Sequence, residues 1–186
     1  SGVLERARAL LADRRRIGVG RVVLVNGLYA ESLSDGLPVA MTVEAEPTWP
    51  AAADDAMVAL NEAMVGEAYR FDIPDGTALN EPVEIVHVAV GDGPEALYAR
   101  VTIAAGAGAR ASFVEAFVGG TSQTQRNVAT SLILGKGASL RHVVSIEDDS
   151  GLHVESLVGR LAADAELNDF GLVKGGALVR RQLFLD

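Results

Sequence analysis

Three histidines, His87, His142 and His153, carry the side chains of this sequence best suited to proton transfer or metal ligation at neutral pH. His142 alternates in phase with Leu140, Val144 and Ile146, and His87 with Val83 and Ile85. Both therefore read as core histidines on half-buried strands, each with a local hydrogen-bond partner. His153 follows the acidic stretch Glu147-Asp148-Asp149. A histidine beside carboxylates is a donor set for a metal ion, but a run of acids before Gly151 is more often a solvated loop, and that reading is preferred. No Gly-x-Ser-x-Gly elbow activates a serine. The glycine-rich pieces at 91–93, 106–108 and 135–137 lack both the Gly-x4-Gly-Lys-Ser/Thr loop and a following helix, so they are not phosphate cradles. The acids are scattered over outer strand faces and cannot be paired for glycoside chemistry. With no cysteine in the sequence, disulfides, thiolate nucleophiles and Cys-held zinc or iron–sulfur sites are excluded. No catalytic, cofactor-binding or metal-ligating residue is assigned.

The elements that hold these residues are legible as changes of period. Val3 to about Arg16 has helical spacing, with Leu4, Ala7, Leu10 and Leu11 on one broad side. The cluster Arg14-Arg15-Arg16 at its end reads as a solvated helix terminus whose cations suit the helix dipole, with an anion or partner contact as the alternative. Asn26-Gly27 marks a turn after a strand, and Val39–Val43 reads as another strand. Glu46–Pro50 is a breaker. Asp54 and Asp55 cap a helix running to about Val65. From about Glu67 the period becomes two, in Val83–Val90, Leu97–Ile103, Val128–Leu134 and Leu140–Ile146. The expected division is an N-terminal α/β region at 1–66 and a β core at 67–186.

That core repeats. The tight turns "GAGA" and "GKGA" begin 29 residues apart, at 106 and 135, and "ADAE" begins 28 later, at 163. Each is flanked by long strands. A period of this size marks a solenoid, and two strands plus two turns make one coil whose strands pair with their equivalents in the next. The fold expected is mainly β, a parallel β-helix, with a β-sandwich as the alternative. Neither the hexapeptide nor the calcium-binding nonapeptide repeat is present. The net charge of −9 repels a phosphate backbone, so nucleic-acid binding is disfavoured. No stretch reads as a membrane span or a signal peptide, so a cytoplasmic location is expected.

The same stretches carry a resemblance. "LNEPVEIVHVAVG", "RVTIAAGAGARASFVEAFVGG", "RNVATSLILGKGASLRHVVSIEDDSGLHV" and "GALVRRQLFLD" resemble the core of the SufB/SufD family, scaffold subunits of the Suf iron–sulfur cluster assembly machinery. The segments Ala111–Gly119 and Asn127–His142 match family motifs in order and spacing, and "VVLVNGLYAESLS" is similar to the D-type rather than the B-type subunit. The resemblance implies a right-handed parallel β-helix with two long strands per turn. It also implies a non-catalytic scaffold working with a SufB-like paralogue and a SufC-like ATPase. The complex it points to handles an iron–sulfur cluster and ATP, with no cofactor bound by this chain. Family members continue past the "RRQLFL" segment into further coils, a region with a Cys-Ser-His-Gly-like motif and ATPase-docking helices. The chain therefore reads as a fragment, with homo-association expected through an exposed last coil near Val179–Leu185. A carbohydrate-active or carbohydrate-binding β-helix is the alternative, against which the single Trp and three Tyr count.

Overall fold

The computed structural model describes residues 2–44, 49 and 54–186. Helix α1 (Gly2–Leu11) is followed by β1 (Gly20–Val25) and β2 (Leu28–Tyr29), an antiparallel pair joined at Asn26-Gly27. Both turn residues have positive φ, 51° and 86°, the geometry that matches the twist of a tight hairpin. A single 3-10 turn, Glu31–Leu33, leads to β3 (Ala40–Glu44). The Asp55 carboxylate caps α2 (Ala56–Met64), accepting from the Met57 and Val58 N–H groups. α1 stops at Leu11 rather than near Arg16. Ala12 to Arg16 offers no further apolar face to bury, and a helix without one is not extended. The expected breaker at Glu46–Pro50 lies, apart from Trp49, outside the described residues.

Nine strands follow: β4 (Ala68–Ile73), β5 (Val83–Ala89), β6 (Glu95–Ala105), β7 (Arg110–Gly119), β8 (Thr124–Leu134), β9 (Ser139–Asp148), β10 (Leu152–Leu161), β11 (Glu166–Val173) and β12 (Val179–Leu185). They alternate between two sheets, ordered β11-β9-β7-β5-β1-β2 and β12-β10-β8-β6-β4-β3. Every pairing is parallel except β1–β2 and β3–β4. The result is a β-solenoid of about four turns with a small α/β region at its N-terminal end. β1 and β3 extend the sheets that β4 to β12 build.

The inward face carries Val83 and Ile85 from β5, Phe113 from β7, Leu140 from β9, and Phe71, Ile103, Leu132 and Leu157 from the facing sheet. The outer face of β5 is also buried, because Ala7 and Leu11 of α1 pack on Val23, Val25, Val86 and Val88. α2 covers the opposite sheet. Val58 packs on Val158, and Asn61 Nδ2 donates to the Ala99 and Asn127 carbonyls at 3.1 and 2.9 Å. No helix among the described residues is long and apolar enough to cross a membrane.

Four equivalent turns close one corner of the coils. Each is held by the same bond, from Thr77, Ala109, Ala138 and Ala165 N–H to the carbonyl three residues earlier. The third residue of each is left-handed: Gly76, Gly108, Gly137 and Asp164, with φ of 66°, 66°, 65° and 61°. The turn at 162–165 is therefore one residue earlier than "ADAE" implied. Register pairs Leu134 with both Ala105 and Leu161. The period is thus 29 and then 27, because the β9–β10 connection is shorter. At Gly135 an added methyl group would lie 2.7 Å from the Ala107 nitrogen and 2.8 Å from the Gly106 carbonyl carbon, both backbone of the coil below. Gly135→Ala is expected to lower unfolding stability by about 1–3 kcal/mol. The neighbouring Lys136→Ala should stay within about 0.5 kcal/mol. Urea unfolding measures both, and equal effects would rule out corner packing as the reason for glycine at this position.

Candidate functional site: a charged ladder inside the coils

The strand period that buries Val83 and Ile85 also turns His87 inward, and the same phase turns in Glu115 of β7, His142 of β9 and Asp169 of β11. These four come from successive strands of one sheet. The facing sheet supplies Thr130 of β8, Glu155 of β10 and Arg181 of β12. Glu115 lies at the centre and is fully buried. Its Oε2 accepts from His87 Nε2 at 2.8 Å, and its Oε1 accepts from His142 Nε2 at 3.0 Å and from Thr130 Oγ1 at 2.6 Å. An ionised carboxylate can only accept, so both imidazole nitrogens facing it carry protons. The other nitrogen of His142, Nδ1, donates to Asp169 Oδ1 at 2.8 Å. Arg181 closes the ladder, with Nη2 on Asp169 Oδ2 at 2.6 Å and Nε on Glu155 Oε2 at 3.0 Å.

The electrostatics follow from these contacts. Burial alone would raise the Glu115 carboxyl, but hydrogen bonds from His142 and His87 outweigh it and hold the group well below the usual carboxylate range. Burial would lower the His142 imidazole, but Asp169 and Glu115 hold it up at about 9. His142 is therefore an imidazolium bridging two carboxylates. Glu155 goes the other way. Burial raises it to about 7, and Arg181 offsets only part of that cost.

A second buried cluster adjoins the first across the Phe117 ring. His87 stacks on that ring at 4.4 Å and His153 meets it edge-on at 4.6 Å. Asp148 Oδ2 receives His153 Nδ1 at 3.0 Å and Arg126 Nε at 2.8 Å. Arg126 also donates to the Val118 carbonyl at 2.6 Å. Burial lowers the His153 pKa, and Asp148 restores only part of it, so the ring is neutral with Nδ1–H on Asp148. Its Nε2, and Nδ1 of His87, have no hydrogen-bond partner among the described residues.

Of the acids grouped with His153 by sequence, the structure brings only Asp148 to it. Strand alternation turns Glu147 outward, where Ser145 and Arg14 contact it, and Asp149 is exposed. His87 and His142 are core histidines with partners, as their phase implied. The sequence reading missed Glu115, Glu155, Asp169, Arg126 and Arg181. The available signal was phase: Glu115 lies between Phe113 and Phe117 on the apolar side of its strand.

Chemically the ladder fixes charge and connects hydrogen bonds across four successive strands of one sheet. Among the described residues no group of three or more His, Asp or Glu side chains is placed to hold one metal ion. What the fold and this interior define is a parallel β-solenoid with an ionised core. A scan against protein families matches residues 87–186, more than half of the chain, to the SUF system FeS cluster assembly, SufBD core domain. The chain belongs to that family. The matched span begins at His87 and covers every member of the ladder. No curated protein matches the chain. An iron–sulfur cluster, the cargo of such a system, is held by thiolates in most proteins. These residues include no cysteine, so they do not fit a Cys-held cluster.

Proposed function

We propose that this chain is a non-catalytic, D-type scaffold subunit of the Suf iron–sulfur assembly complex, cytoplasmic, working with a SufB-like paralogue and a SufC-like ATPase. The observation that carries this reading is the SufBD core match over coils that contain a buried charged ladder. The stretch "VVLVNGLYAESLS", similar to the D-type rather than the B-type subunit, favours the D-type role. The family match does not favour the carbohydrate alternative.

In this reading the β11–β12 end offers its strand edges to a second copy of the chain. Both strands are edges of their sheets, and Phe170, Leu172, Leu183 and Leu185 are exposed there. Edge strands with apolar side chains recruit further strands. Co-expression with the SufB-like and SufC-like proteins of the same source is expected to give a complex that survives gel filtration. Leu183→Lys with Leu185→Lys should weaken self-association of the chain at least tenfold. Recovery of the chain alone in the presence of both partners would overturn the scaffold reading.

A further inference from the structure

The basic run after α1 does more than face solvent. A surface pocket of about 370 Å³ lies between the end of α1, β1 and the 3-10 turn. Arg8, Arg14, Arg16 and Arg21 line it, together with small and apolar residues and two serines, and none of its lining side chains is acidic. On a chain of net charge −9 this is a local reversal of sign.

The guanidinium groups are held in place. Glu84, fully buried, takes Arg21 Nε at 2.6 Å and Arg14 Nε at 3.3 Å. One carboxylate thus serves two cations. The second partner of Arg14, Glu147 Oε1, is 3.5 Å away and part-exposed. Arg21 is nearly buried, and its Nη2 also donates to the Arg15 carbonyl at 3.2 Å. Arg16 Nη1 bonds both oxygens of Asp35 at 2.7 Å. Arg8, at the mouth, has no ion pair among the described residues. Four guanidinium groups thus meet three carboxylates, and the surplus positive charge, that of Arg8, is left to act on an anion.

We propose that this pocket binds a small phosphate-bearing anion. Several guanidinium forks converging on one space match the oxygens of a phosphoryl group, and the volume lies in the range of small-ligand sites, roughly 300–1,000 Å³. Pre-ordering by Glu84 and Asp35 reduces the ordering cost of binding. The site is independent of the assembly role and does not require it.

The test uses the whole chain and pyrophosphate as probe, by calorimetry at constant ionic strength. One saturable site is expected, with shifts of arginine Nε–H signals in NMR spectra. Arg8→Glu should weaken binding at least tenfold. Arg6→Glu makes the same charge change on the same helix, but Arg6 pairs with Asp92 outside the pocket, so it should change affinity less than twofold. Both residues are exposed on α1, so neither variant threatens the fold. Absence of saturable binding, or equal weakening by both variants, overturns the proposal. So does binding of a tetraglutamate peptide without binding of pyrophosphate, which would make the pocket a contact for an acidic protein segment.

Discussion

Glu115→Ala is expected to lower the unfolding stability by about 3–5 kcal/mol at pH 7, the cost of removing one partner from a buried ion pair. That is a large part of the roughly 5–15 kcal/mol that holds a typical domain together. The magnitude follows from what the change strands. His87 Nε2 and Thr130 Oγ1 lose their acceptor, and the His142 imidazolium keeps only Asp169. Water cannot easily replace the carboxylate, because both histidines and Glu115 are buried between the sheets. Glu115→Gln should cost less, since the amide keeps one acceptor and the shape but gives up the charge. A triple replacement by apolar residues, His87→Phe with Glu115→Met and His142→Leu, separates pairing from packing. If stranded charge is the cause, the triple variant should recover most of the loss, as apolar substitutes for buried ion pairs often do. A Glu115→Ala loss below 1 kcal/mol in urea unfolding would show that the ladder contributes little to stability.

The solenoid was legible because its signals are local and repeated. Alternation with one buried face marks a strand wherever it occurs, and the small turns recur at nearly fixed spacing. The turn at 74–77 escaped because its sequence, Pro74-Asp75-Gly76-Thr77, differs from the others, and only the shared left-handed third residue reveals the equivalence. The ladder was half legible. Phase placed His87 and His142 inside, but an acid on an apolar strand face was assigned outward by default. Glu115, Glu155 and Asp169 face inward because His87, His142 and Arg181, far away in sequence, meet them on neighbouring coils. Such mutual compensation depends on register between coils, and no window of one strand contains it. The arginines after α1 show the same limit. Adjacent in sequence, they read as a solvated helix end, yet Arg14 turns to Glu84, seventy residues away.

Stability is expected to fall by ~3 kcal/mol between pH 6.5 and 9, and His142 is the cause. Burial opposes its protonation, yet the hydrogen bonds to Asp169 and Glu115 hold its pKa at about 9 against an ordinary 6.5. A base raised on folding gives its full stabilisation below 6.5 and loses it as the pH rises through about 9. Glu155 adds to the decline from the acid side. Its carboxyl, raised by burial to about 7 from 4.5, costs stability as the pH climbs through that range. His153, lowered by burial, works against Glu155 there, because the unfolded chain takes up its proton first as the pH falls below 6.5. The carboxylates of Glu115, Asp148 and Asp169, all lowered, withdraw their contribution only in more acidic solution. The alkaline limb is therefore the window where His142 acts with least interference. Urea unfolding at pH 6.5 and pH 9 measures it, and His142→Gln should be less stable at pH 6.5 but nearly flat between the two. Should that variant not fold, the NMR titration of the His142 ring in the unaltered chain decides directly. A midpoint near 9 supports the bridged imidazolium, and a midpoint at or below 6.5 removes it together with the predicted alkaline loss.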